Sequence, residues 1–258
     1  MKNKILIFLV AANLGTATVC AAPGAWTDDN QFSLSTGFDY RSGKYGTTRT
    51  TDMLSIPVAE EYETGPWMFK VTVPYTRISG TGGTAPGIGL IGADGAARDT
   101  QPGLGGTVAA ASYNIYSGRA STLGIDLTGK VKLNTANLGL GTGQNDYAAQ
   151  ADAYQSFNNF TALGSLGYKV LGNPSGISMN KALYGSFGGS YQLDDTIQGG
   201  VDLSLSQSPT TAGEGYGELS AYVSRKINKN FRAKGYVLKG LSNGSPDSSL
   251  GAQIYYGF

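Results

Sequence analysis

The stretch LGIDLTGKVKL, residues 123–133, most narrows what this chain can fold into. Leu123, Ile125, Leu127, Val131 and Leu133 alternate with Gly124, Asp126, Thr128, Lys130 and Lys132. A period of two places the two sets on opposite faces of a strand, one apolar and one charged. The same beat runs through WMFKVTVPY, where Trp67, Phe69, Val71, Val73 and Tyr75 oppose Met68, Lys70, Thr72 and Pro74. It recurs at Phe32, Leu34, Phe38 and Tyr40, and at Ile197, Val201, Leu203 and Leu205. Helix-period stretches of useful length are absent. If the apolar face meets lipid, a one-residue slip would carry Lys130 and Lys132 into it at about 2–4 kcal/mol each. That cost fixes the register.

The two ends of the chain say where such strands would be used. Lys2 and Lys4 precede an apolar run over 5–12 and then small residues, the pattern of a secretory leader, cut after Ala21 or Ala22. The single cysteine, Cys20, leaves with a leader cut at Ala21, so disulfides and thiol chemistry are not expected of the mature chain. A lipoprotein signal is disfavoured because Val19, before that cysteine, is not small. At the other end Leu250, Ala252, Ile254 and Tyr256 form an outward apolar set that finishes in Phe258. A last strand with a terminal aromatic resembles the assembly signal of Gram-negative outer-membrane barrels, with Ile254, Tyr256 and Phe258 as its residues and the barrel-assembly machinery as its reader.

After the leader no apolar run approaches the ~20 residues a membrane helix needs. A closed barrel is the other structure that satisfies its backbone in lipid. Twelve segments of strand period lie near 31–41, 49–62, 67–77, 104–116, 121–133, 146–155, 160–170, 182–193, 197–206, 218–227, 231–239 and 249–258. Their connections alternate between short (ETGP, SGRA, SFNN, DDT, NKN) and long (42–48, 78–103, 134–145, 171–181, 207–217, 240–248). Even strand number and alternating loop length are marks of bacterial outer-membrane barrels. Tyr62, Trp67, Tyr113, Phe157, Phe160, Tyr191, Phe231 and Phe258 fall at the short-turn ends. Tyr40, Tyr75, Tyr147, Tyr168 and Tyr216 fall at the long-loop ends, so two aromatic girdles are expected.

One motif points elsewhere. GIGLIG, residues 87–92, spells G-x-G-x-x-G, the dinucleotide-binding fingerprint. That fingerprint needs a strand before it, a helix after it and an acidic residue about twenty positions on. GTGGTAP precedes it, ADGAARDTQPGLGG follows it, and residues 109–111 are all alanine. The match is fortuitous, in the longest loop, and no cofactor is expected. The glycines and the apolar tip Ile88, Leu90 and Ile91 let that loop either fold into the lumen or stand free.

The chemistry open to the chain is limited. His is absent, which excludes a Ser-His-Asp triad and histidine metal sites. Asp94 with Asp99, or Asp194 with Asp195, offers oxygen ligands but without the spacing of a calcium loop. Of 19 Lys and Arg two go with the leader, against 18 Asp and Glu, a balance that gives no reason to expect nucleic acid. An enzyme is not expected.

Several phrases together, FSLSTGFDYRSGKYG, YETGPWMFKVTVPYTRISG, LGLGTGQNDY, KVLGNPSG and NKNFRAKGYVLKGLSNGSPDSSLGAQIYYGF, resemble a family of small outer-membrane proteins. The family is labelled for the meta-pathway of phenol degradation and its members are called transporters. The resemblance runs from about residue 31 to the C-terminus and implies a transport-like barrel for aromatic or other small nutrients. It defines no binding residues.

The expectation is therefore an all-β chain: a leader over 1–21, then a twelve-stranded transmembrane barrel over 22–258 with a long loop at 78–103. It would sit in the outer membrane as a diffusive channel for a small solute. Lys70, Asp126, Lys130, Lys132, Asp152, Tyr154, Asp202, Arg232 and Lys234 are the expected pore lining, since rings of charge set ionic preference. The alternative is a plugged structural or adhesive barrel acting through its loops. Neither solute nor oligomeric state is readable from the residues.

Overall fold

The computed structural model describes residues 8–10, 19–21, 30–81, 84–85, 89–90, 98–117, 123–136, 140, 143–174, 178–210 and 213–258. The reading of 1–21 as a cleaved leader, and the loop tip with Ile88 and Ile91, lie largely outside them. Twelve antiparallel strands close into one barrel. In chain order they are β1 (Asn30–Gly43), β2 (Thr51–Thr64), β3 (Trp67–Thr81), β4 (Arg98–Leu104 continuing as Val108–Ser117), β5 (Leu123–Lys132) and β6 (Asp146–Phe157). Then follow β7 (Phe160–Val170), β8 (Ala182–Gln192), β9 (Ile197–Ser206), β10 (Tyr216–Lys226), β11 (Phe231–Gly240) and β12 (Ser248–Gly257). Each pairs with its sequence neighbours, and β12 closes on β1 from Ser248 opposite Ser42 to Gly257 opposite Ser33.

The distribution of side chains is the reverse of a soluble protein's. Phe187 is 71%, Leu166 65% and Val237 60% exposed on the outer face, whereas Lys169 and Asp146 are 0% and Glu218 1% exposed on the inner one. An apolar belt outside a polar interior is what a lipid-spanning barrel requires. At the short-turn end Trp67 packs edge-on to Tyr113 with ring centroids 4.7 Å apart, and Phe258 lies against Phe32 and Tyr256; at the long-loop end Tyr40, Tyr75, Tyr147 and Tyr168 are exposed on the outer face. Tyr216 departs from the expected long-loop girdle. It shares its phase with Glu218 and Ser220 and is directed inward, where the Lys169 ammonium lies over its ring.

At the short-turn end, Phe157 pairs directly with Phe160, leaving Asn158 and Asn159 as the turn. Asn158 adopts φ 53°, the left-handed conformation a two-residue hairpin needs and asparagine tolerates. The wall is tallest at β1–β4: β1, β2 and β3 are 14, 14 and 15 residues long, and β4 runs over 98–117 across its interruption. Much of the expected loop 78–103 is strand: Ile78–Thr81 pairs with residues 98–101, and Gln101–Leu104 continues the ladder back to Tyr75. Residues 105–107 then interrupt β4 as a bulge beside Pro74, which lacks an N–H; the Gly105 N–H donates instead to the Pro74 carbonyl at 2.8 Å.

The long-loop end is capped by side chains that turn inward. Tyr45 and Leu140 come from loops, Met53 and Ile78 from β2 and β3, and they form a small buried apolar cluster with Ala136 against it. The loop expected from residue 78 was open to folding into the lumen or standing free, and its tip lies outside the described residues. Among the described residues, the loops that contribute to this cluster are the connections after β1 and β5.

Candidate functional site: the barrel lumen

Inward phase places all nine expected lining residues in the interior. Lys70 is buried with its Nζ 3.1 Å from Glu61 Oε2, directly opposite on β2. Asp126 accepts a hydrogen bond from Asn114 Nδ2 at 2.6 Å. The Lys130 ammonium donates to Gln150 Oε1 at 2.8 Å, and Lys132 lies 3.3 Å from Asp146 Oδ2. Gln150 in turn donates to Asp152 at 2.5 Å, and Asp202 accepts from Ser204 at 2.7 Å. Tyr154 is buried near Asn114, Lys234 lies 4.5 Å over the Tyr222 ring, and Arg232 is half-buried.

Several contacts reach across strands that are not neighbours. Arg41 of β1 approaches Glu218 of β10 at 3.8 Å, three strands away through β12 and β11. Lys130 of β5 lies 5.9 Å from the Tyr184 ring of β8, again three strands on. Lys169 of β7 lies over Tyr216 of β10 at 5.1 Å. Twelve strands enclose a lumen that side chains can span in this way. These residues draw a constriction just beneath the long-loop end, since Lys132, Asp146, Lys169 and Tyr216 all stand at or next to strand ends on that side.

The sequence reading did not single out Arg41, Asp39, Glu61, Asp146, Glu218 or the tyrosines 184, 222, 236 and 255. Their inward phase was available. Their proximity was not, because a period of two reports the face of a residue and not its height or its partner across the lumen. Asp39 shows this: it holds Arg41 at 2.6 Å and accepts a hydrogen bond from the Tyr236 hydroxyl.

Four inward tyrosines share one device. Tyr154, Tyr184, Tyr222 and Tyr236 stand opposite Gly124, Gly167, Gly200 and Gly251 on adjacent strands. A Cβ on Gly124 would lie 2.0 Å from the Tyr154 ring, and one on Gly167 2.3 Å from that of Tyr184. Each ring is laid over its glycine, filling the place where a side chain would stand.

Asp194 Oδ1 is occupied by its own turn, accepting from the Thr196 amide and hydroxyl and the Ile197 amide at 2.7, 2.8 and 2.8 Å. Among the described residues no three Cys, Asp or Glu side chains cluster as metal ligands. The Asp94 and Asp99 side chains lie outside the described residues.

The chain is similar to the crystal structure of the COG4313 outer membrane channel from Pseudomonas putida F1, with a TM-score of 0.70 at 11% identity over 90% of this chain and 97% of that one. It is also similar to the beta domain of the Bordetella autotransporter BrkA, with a TM-score of 0.54 at 15% identity over 89% of this chain and 100% of that one. The translocator domain of the autotransporter NalP from Neisseria meningitidis gives 0.51 at 12% identity, over 89% and 88%. No family model and no curated protein matches the chain. At these identities the likeness is one of architecture, and the architecture is the outer-membrane β-barrel.

Proposed function

We propose that the chain is an outer-membrane channel through which small solutes diffuse along the lumen. The observation that carries this is the interior wall, lined by ionised and hydroxyl side chains from the strands around the barrel, in a fold similar to that of an outer-membrane channel. A polar wall lowers the barrier for hydrophilic solutes, and the cross-strand contacts set a selective narrow point. The nine lining residues named from the sequence, with Arg41, Lys169 and Glu218, are its wall. The family resemblance extends the proposal to aromatic or other small nutrients. The outer belt faces lipid, and Ile254, Tyr256 and Phe258 present the last strand to the assembly machinery. No step in this reading is enzymatic.

A plugged structural or adhesive barrel is the second reading, favoured by the apolar cap of Tyr45 and Leu140. Single-channel recording in planar bilayers separates the two, using protein whose gel mobility changes on boiling. Discrete ohmic steps support the channel; a folded barrel that stays silent supports the plug.

A further inference from the structure

We propose that the constriction holds a binding site for a small carboxylate anion, centred on the Lys169 ammonium; this rests on the channel reading above. Lys169 is fully buried, 0% exposed, on the inner face of β7. Its Nζ has no hydrogen-bond acceptor in the structure. It lies instead over two tyrosine faces, 5.1 Å from the Tyr216 centroid and 5.9 Å from that of Tyr184. Buried ammonium groups are ordinarily paired or hydrogen-bonded, and each that is not calls for an explanation.

The nearby wall carboxylates, Asp146 and Glu218, attract the ammonium without hydrogen-bonding to it. Asp146 Oδ1 accepts the Gly172 N–H at 3.0 Å, and its Oδ2 faces Lys132 at 3.3 Å. Glu218 faces Arg41. One further donor group beside the ammonium is also without an acceptor, the Tyr184 hydroxyl. Two donor groups, the Lys169 ammonium and the Tyr184 hydroxyl, therefore stand near each other in the lumen, where π faces hold the ammonium from the side and leave its N–H groups unmatched.

A carboxylate is the complementary chemistry. It offers about four lone-pair sites and no donor, so one group can meet the ammonium and the phenol together. A neutral solute cannot repay a buried positive charge in the same way, and a cation is repelled. The site thus gives the channel preference for carboxylates through N–H donors that the wall carboxylates attract but do not hydrogen-bond.

The test is equilibrium binding to the detergent-folded barrel by titration calorimetry, which needs no conduction. The probe is sodium benzoate, with benzamide as its uncharged counterpart of nearly equal shape. We expect saturable benzoate binding at least tenfold tighter than benzamide, lost in Lys169→Met and retained in Lys169→Arg. Lys229→Met, exposed in the short turn between β10 and β11, should bind as the wild type does. No benzoate binding by the folded wild type, equal binding of benzamide, or unchanged affinity in a folded Lys169→Met would overturn the proposal. If Lys169→Met does not fold, the benzoate-to-benzamide comparison on the wild type decides. Binding by a barrel that carries no current would remove the channel reading and leave the site standing.

Discussion

Lys70 and Glu61 stand directly opposite each other on β3 and β2, Nζ to Oε2 3.1 Å, each less than a tenth exposed. Desolvation makes such a pair a poor source of net stability but an expensive one to halve. Lys70→Met should therefore destabilise the barrel by about 3 kcal/mol or more, and the double variant Lys70→Met with Glu61→Leu should recover most of that. Urea unfolding in lipid vesicles measures both. A double variant no more stable than the single one would show that the pair is not coupled.

Selectivity follows from the charges on β5. Reversing Lys130 and Lys132 to Glu replaces two lumen cations beside Asp146 and Asp152 with anions. The reversal potential in a salt gradient should move toward cations. A conducting variant with unchanged selectivity would remove both lysines from the ion path.

The cap predicts a change in current with little change in the barrel. Tyr45→Ala with Leu140→Ala empties the apolar cluster over the mouth while leaving every strand intact. Single-channel conductance should rise and heat-modifiable mobility should persist. Equal conductance would place the limiting cross-section at the Arg41–Glu218 and Lys169–Tyr216 level below.

A pH effect is expected at the turn between β8 and β9. Hydrogen bonds from the Thr196 amide and hydroxyl and the Ile197 amide hold the Asp194 carboxyl below its ordinary pKa. The contribution is complete above the ordinary carboxylate value and is lost as pH falls through the lowered one. Amide exchange, corrected for its intrinsic pH dependence, should show Thr196 and Ile197 losing protection across that acid window in the wild type. Asp194→Ala should show no such transition.

The glycine–tyrosine pairs give a packing test. Gly167→Ala forces the Tyr184 ring to move from 2.3 Å contact and should cost about 1–3 kcal/mol. Gly129→Ala, where nothing lies within 4 Å of the added Cβ, should be close to neutral. Equal effects would mean that the ring shifts freely.

The strands were readable because lipid outside and water inside impose opposite demands on successive residues. LGIDLTGKVKL shows this, and its Asp126, Lys130 and Lys132 are directed inward as their phase required. The outer half of β4 was not readable. Pro102, Gly103, Gly105 and Gly106 carry little hydropathy signal, and the bulge at 105–107 breaks the phase between Leu104, which faces out, and Val108, which faces in. Tyr216 was misread as girdle because the strand was started at Glu218, although the two share a phase. The constriction depended on something no local pattern holds: Arg41 and Glu218 meet only because closure of β12 on β1 brings them to one side.

The rings laid over glycines bear on how such a barrel acquires its inner width. Strand number sets the outer frame in coarse steps, but at these four rungs the free bore depends on a missing carbon. A methyl group on one glycine would lift one phenol into the path and leave the frame untouched. Chains built on this frame can therefore grade the width of their interior one rung at a time, without ever changing how the wall is woven.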